Sequence, residues 1–207
     1  MRFDIYRSQN KIDMLFDQIP RSRLAQIALE LKVDFKFVSA TASKGEPAEP
    51  NVDQKLSLIL ASLERESQMG TVDEPKAYFR GELPMAWGEL HLPSDPEREA
   101  SWIGPTLVFC GTTTQGTKLA LVGSLKYLLG ADVRQAATAF YIRPSTAYRI
   151  AEAIDLEPEA DALMLSHELT GPAWSGDPVR QNLEFVAKTF LHTDDKLIGS
   201  PLYVAMS

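Results

Sequence analysis

Apolar and polar positions alternate in Phe3-Asp4-Ile5-Tyr6, which predicts a short strand ending at Ser8. Ser8-Gln9-Asn10 offers helix N-cap chemistry, and Ile12, Leu15, Phe16 and Ile19 then recur at helical spacing. Pro20 breaks that run and opens a second helix through Leu24, Ile27, Ala28 and Leu31. Residues 33–38 read as a half-buried strand and 43–51 as an exposed loop. Val52, Leu56, Ile59, Leu60 and Leu63 make an amphipathic helix ending near Gly70, its apolar face turned to the sheet. Tyr78 to Leu90 reads as a strand, with Pro84 and two glycines marking an edge or a bulge. A loop follows from His91 to Gly104.

Thr106–Cys110 and Lys118–Val122 are apolar runs on either side of Gly111-Thr-Thr-Thr-Gln-Gly116, the pattern of a β-hairpin. Gly123-Ser124 opens a helix through Leu125, Leu128 and Leu129. Further helices are expected near 132–141, 145–155, 158–169 and 179–192, with a closing strand over Ile198–Val204. Strands concentrate in the first half and helices in the second. That segregation predicts a single α+β domain over 1–207, with a mainly antiparallel sheet from the first half and the last strand, packed with helices from the second half.

Composition narrows the function classes more than it names one. The 207 residues carry a formal net charge of -7, so most of the surface repels phosphate backbones and the acidity argues against nucleic acid as a partner. The lone Cys110 excludes an internal disulfide and fits a reducing, cytoplasmic setting. No signal-peptide core follows the first residues, and the longest apolar run, Leu119–Leu129, is cut by Gly123, Ser124 and Lys126, so no membrane partner is expected.

Catalytic and metal motifs do not emerge. His91, His167 and His192 are far apart and lack metal-ligand spacing, and no cofactor motif is present, so metal and cofactor are both expected to be none. Cys110 has no neighbouring His or Lys to lower its pKa and reads as a structural thiol. Gly111 to Lys118 lacks the Gly-Lys-Ser/Thr spacing of a phosphate loop. Gly123-Ser124-Leu125-Lys126 lies between a strand and a helix, where free N–H groups hold an anion or Ser124 simply caps the helix. Ser8, Lys11 and Asp13, with Tyr78 and Arg80, form a second candidate constellation, in which Arg80 would clamp an anion. Ion pairing of Lys11, Asp13 and Arg80 on the surface is the competing reading.

The sharpest local pattern is Val133 to Ile150, which is similar to a helix-turn-helix. Arg143, Ser145, Thr146, Tyr148 and Arg149 would then face DNA. Tyr141 stands where that turn usually has glycine, and Asp132, Glu152, Asp155, Glu157 and Glu159 surround the segment. Two packed helices account for the same residues.

Several stretches together resemble an uncharacterised, mostly actinobacterial family classed as a domain of unknown function. They are Ile5-Tyr-Arg-Ser8, Lys11-Ile-Asp-Met-Leu15, Gly70-Thr-Val-Asp-Glu-Pro75, Tyr78 to Gly88, Val108-Phe-Cys-Gly111, Leu121 to Gly130 and Leu197 to Val204. The resemblance implies one full-length domain and no known activity. It also implies that relatives tend to carry glycine and histidine where this chain has Cys110 and Tyr127, so any chemistry those positions support in relatives is lost here. The first reading is therefore a ligand-binding or protein-interaction module without a visible catalytic motif, an accessory component of a bacterial multi-gene system. Its partner would be an anionic small molecule or a protein. The alternatives are a DNA-binding regulator using 133–150 and an enzyme acting on a phosphorylated small molecule through Lys11, Arg80 and Ser124.

Overall fold

The computed structural model describes residues 3–31, 50–91, 106–130, 140–141 and 180–207. The chain forms two compact units, one of Gln9–Met69 and one of Met1–Ser8 with Gly70–Ser207.

The first unit is helical: α1 (Gln9–Gln18), α2 (Arg21–Leu31) and α3 (Val52–Arg65). The Pro20 carbonyl accepts from the N–H groups of Arg23 and Leu24, so Pro20 stands just ahead of α2. A capping box opens α3: the Asn51 side chain accepts from the Gln54 N–H while the Gln54 side chain accepts from the Asn51 N–H, both at 2.9 Å. The helix stops at Arg65, short of the expected Gly70, because Ser67 takes a left-handed φ of 56°. Ser67 then donates to the Glu64 carbonyl and Gln68 to the Leu63 carbonyl, the paired bonds of a Schellman stop. Leu24, Ile27 and Ala28 of α2 pack on Leu58 of α3. Leu56, Ile59 and Leu63 are buried as expected, whereas Val52 is half-buried. Asp13 holds α1 to α3 through the Lys55 ammonium at 2.7 Å, and that bond, with a second from Gln9, lowers its carboxyl pKa.

The second unit is a barrel. Its strands are β1 (Phe3–Arg7), β2 (Met69–Thr71), β3 (Tyr78–His91), β4 (Thr106–Thr112), β5 (Lys118–Ser124), β6 (Phe140–Tyr141), β7 (Gln181–His192) and β8 (Lys196–Met206). β3 pairs with β4, β4 with β5, β5 with β8, β8 with β7 and β7 with β3, so five strands close on themselves. Closure leaves those strands without a long free edge. β1 lines the far half of β8, opposite the stretch that β5 occupies.

The chain therefore combines helices with a sheet as expected, but the described α-helices come from the first half of the chain and not the second, and other particulars differ. The sheet is mixed, since β5 and β8 run parallel, as do β3 and β6. Residues 181–192 form a strand where a helix was expected, and Phe140–Tyr141 pair with β3 instead of ending a helix. The helix expected after Ser124 is a single 3-10 turn, Leu125–Tyr127. The expected helices over 145–155 and 158–169 and the strand over 33–38 lie outside the described residues.

Alternation explains the barrel's interior. Phe79, Leu83, Met85 and Trp87 of β3 point inward with Leu107 and Phe109 of β4, Leu119 and Leu121 of β5, Phe185 of β7, and Leu197 and Val204 of β8. Each such burial contributes about 1.5–3 kcal/mol. Gly111 and Gly116 bracket the β4–β5 hairpin as the sequence predicts, with Cys110 opposite Ala120. At its tip Gly116 takes a φ of 91°. Two irregularities set the β1 end. Opposite β7, β8 skips Leu202 right after Pro201, whose missing N–H suits a bulge. The Leu202 carbonyl instead accepts from the Ser8 N–H at 2.8 Å. In β1 the register slips at Ile5, so both Ile5 and Tyr6 are fully buried and join the barrel core.

Candidate functional site

Inside the barrel, at the end where β1 meets the exit of β5, the apolar core gives way to a small polar spot. Tyr6 stands edge-on to Phe109 (ring centroids 5.9 Å apart) and to Tyr127 (6.1 Å). Phe109 in turn stacks on Trp87 at 6.1 Å. The Trp87 indole N–H donates to the Gln181 side chain at 3.1 Å, so that polar group is satisfied.

The hydroxyl of Tyr6 is not. Tyr6 and Ser8 are both fully buried, and neither hydroxyl makes a hydrogen bond of normal geometry. A buried polar group left so costs about 1–3 kcal/mol, so native proteins rarely retain one without a use for it. Burial pushes the Tyr6 phenol up to about 12, against the smaller opposing pulls of the Ser8 side chain and the Ser124 backbone nearby. Tyr6 therefore stays a neutral O–H donor across the physiological range.

Gly123 makes room for this hydroxyl. A Cβ on Gly123 would lie 2.5 Å from the Tyr6 Oη and 2.7 Å from its Cζ, closer than any real contact. Beyond Ser124 the chain turns through Leu125–Tyr127 and returns to β1, where Leu129 donates to the Ile5 carbonyl at 2.9 Å. That return seats Tyr127 against Tyr6 and leaves the Lys126 ammonium 4.7 Å above the Tyr127 ring, within cation–π range.

The candidate residues of the sequence divide between places. Ser8 and Ser124 lie near the Tyr6 hydroxyl, and Lys126 lies over the neighbouring Tyr127 ring. Neither serine caps a helix: the Ser8 hydroxyl makes no hydrogen bond of normal geometry, and Ser124 makes no side-chain cap. Lys11 and Asp13 lie on α1 in the helical unit, where Asp13 is engaged by Lys55. Tyr78 and Arg80 lie on the outer face of β3, opposite Lys188 and Val186 of β7. Arg80 is exposed, on the other side of the sheet wall from Tyr6. Within the barrel unit, then, Tyr78 and Arg80 do not join Ser8 and Ser124. Cys110 is buried and its thiol is pushed up by burial, which opposes thiolate chemistry. Cys110 sits four residues along β4 from Thr106, the partner of Ser124, so roughly 13 Å of strand separates it from that end. Arg143, Ser145, Thr146, Tyr148 and Arg149, with His167, lie outside the described residues. Among the described residues no three His, Cys, Asp or Glu side chains cluster as metal ligands would, and no helix is long and apolar enough to cross a membrane.

Sequence reasoning did not single out Tyr6, and it named Gly123 only as part of the turn that ends at Lys126 and not as the residue that makes room for the Tyr6 hydroxyl. The available signals were a tyrosine in a core strand and a glycine closing an otherwise apolar strand.

Residues 2–207 match the model of a family of unknown function, DUF7019, and the chain belongs to that family. No curated protein and no solved structure matches it.

Proposed function

Within a family whose function is unknown, we propose that this chain is a small-ligand-binding module and that its site is the polar end of the barrel around Tyr6, Ser8 and Ser124. One observation carries the reading: two fully buried hydroxyls, those of Tyr6 and Ser8, make no hydrogen bond of normal geometry. A ligand offering a hydrogen-bond acceptor would satisfy both. The described residues offer no nucleophile–base pair to these hydroxyls, so the reading is recognition and not turnover. The family match over 2–207 supports treating both units as one domain, and the single cysteine supports a cytoplasmic setting.

The test is the stability of Tyr6→Phe in purified protein without ligand. A hydroxyl reserved for a ligand contributes nothing to the empty fold, so the variant should unfold at the same denaturant midpoint as wild type or a higher one. A structural hydroxyl, bonded to a trapped water, would instead cost about 0.5–1.5 kcal/mol when removed. That loss would overturn the reading.

A further inference from the structure

We infer that β1 is a latch: with the returning segment, residues 125–129, it leaves the barrel wall as one unit while the five closed strands stay paired. Ring closure through β3, β4, β5, β8 and β7 does not pass through β1. β1 instead fills the stretch of β8 beyond its pairing with β5, and the fit there is irregular on both sides. Pro201 has no N–H to give, β8 bulges at Leu202, and β1 slips at Ile5. The returning segment meets β1 through an isolated bridge, Tyr6 opposite Leu128, and through the Leu129 N–H on the Ile5 carbonyl. It ends at Gly130, whose φ of 81° is a left-handed bend that glycine takes freely. Ile5, Tyr6 and Leu128 hold the latch shut by their burial in the barrel core. Against them stand the Tyr6 and Ser8 hydroxyls, which make no hydrogen bond of normal geometry when closed and regain water when open. Opening β1 therefore costs less than breaking the ladders of the ring, the condition for local opening ahead of global unfolding. An open latch also brings those two hydroxyls to solvent, so it supplies the entrance to the proposed site. That use rests on the ligand reading, whereas the motion does not.

Native-state hydrogen exchange of the full-length protein, read by NMR, tests the latch. The reporters are the Ser8 N–H, bonded to the Leu202 carbonyl at 2.8 Å, and the Leu129 N–H, bonded to the Ile5 carbonyl at 2.9 Å. The two should be equally protected, about tenfold or more below the slowest amides of β4 and β7, and should respond little to dilute urea. Ile5→Val should speed both reporters severalfold and by one common factor. Leu119→Val trims a core side chain of the ring, opposite Leu197 and away from the β1 end of β8. It should speed the β4 and β7 amides severalfold and leave both reporters unchanged. Reporters as slow as β4 and β7, as steeply dependent on urea, or accelerated with them in Leu119→Val open only with the whole barrel, and any of these overturns the latch. Unequal effects of Ile5→Val on Ser8 and Leu129 overturn it as well, since the two segments then move separately. A loss of stability in Tyr6→Phe removes the ligand reading and leaves these exchange results to decide the latch.

Discussion

Tyr6 and Gly123 form a close complementary pair in the barrel, and their energetics are separable by substitution. Gly123→Ala would force a methyl group against the Tyr6 hydroxyl end, where the ring is also held by Phe109 and Tyr127. Overpacking of this kind costs about 1–3 kcal/mol. In a Tyr6→Phe background the oxygen is gone, so the same Gly123→Ala change should cost measurably less, and in a double-mutant cycle in urea the double variant should lose less than the sum of the two single variants. Strict additivity would mean that the two side chains do not meet. The phenol itself can be followed by its ultraviolet absorbance on alkaline titration. Tyr6 ionises near 12 in the fold against an ordinary 10.0, so the folded state keeps a proton that the unfolded chain gives up. Its stabilising contribution is complete below pH 10 and is lost as pH rises from about 10 to about 12. One of the six tyrosines should therefore titrate late, with Tyr78, also raised by burial, lagging less. In Tyr6→Phe that last step should disappear. A wild-type curve in which all six tyrosines ionise together near 10 would contradict the burial of Tyr6.

Elements were legible from the sequence wherever one periodicity excluded the other. The β4–β5 hairpin was clear because two apolar runs flank a polar, glycine-bracketed tip, which no helix tolerates. The helix α3 was equally clear, and Asn51 and Gln54 mark its start. Residues 181–192 failed because both periods fit. Leu183, Val186, Ala187, Phe190 and Leu191 satisfy helical spacing, while Leu183, Phe185, Ala187, Thr189 and Leu191 satisfy strand alternation. The strand wins through its neighbours: β3 pairs along 181–188 and β8 along 183–192, which satisfies the backbone on both sides. Its aromatic and β-branched residues also favour the pleated form. The expected helix after Ser124 was lost to a similar competition. Leu128 and Leu129 are drawn into pairing with β1, which leaves only three residues for a turn. The candidate site was half legible for the same reason. Ser8, Ser124 and Lys126 stand out locally as polar residues at strand ends. The meeting of Ser8 and Ser124 at Tyr6 depends on β1 meeting β8 and on the slip at Ile5, both products of long-range pairing.

At the scale of the whole molecule, the two units pose a question of cooperativity. The helical unit has its own small core, with Leu58 fully buried among Leu24, Ile27 and Ala28. The barrel has a larger one, with Phe185 and Phe109 fully buried. We propose that they fold as one domain, as expected of the span 1–207 and of a family that covers both. In that case a defect in either core must weaken the entire molecule. Leu58→Ala should cost about 2–5 kcal/mol and Phe185→Ala about 3–5 kcal/mol. With Trp102 and Trp174 replaced by Phe, Trp87 fluorescence reports the barrel alone, since Trp87 stacks on Phe109 in its interior. Far-ultraviolet circular dichroism weights the helices of the other unit. Two-state unfolding requires the two signals to coincide in urea, for the parent protein and for both variants. Leu58→Ala should then move the Trp87 transition to lower urea, although the substitution lies in the other unit. A Trp87 transition that stays in place while the helical signal shifts would divide the chain into two independently folding domains. The proposed site, whose residues Tyr6, Ser8 and Ser124 belong to the barrel unit, would then have to be supported by that unit alone.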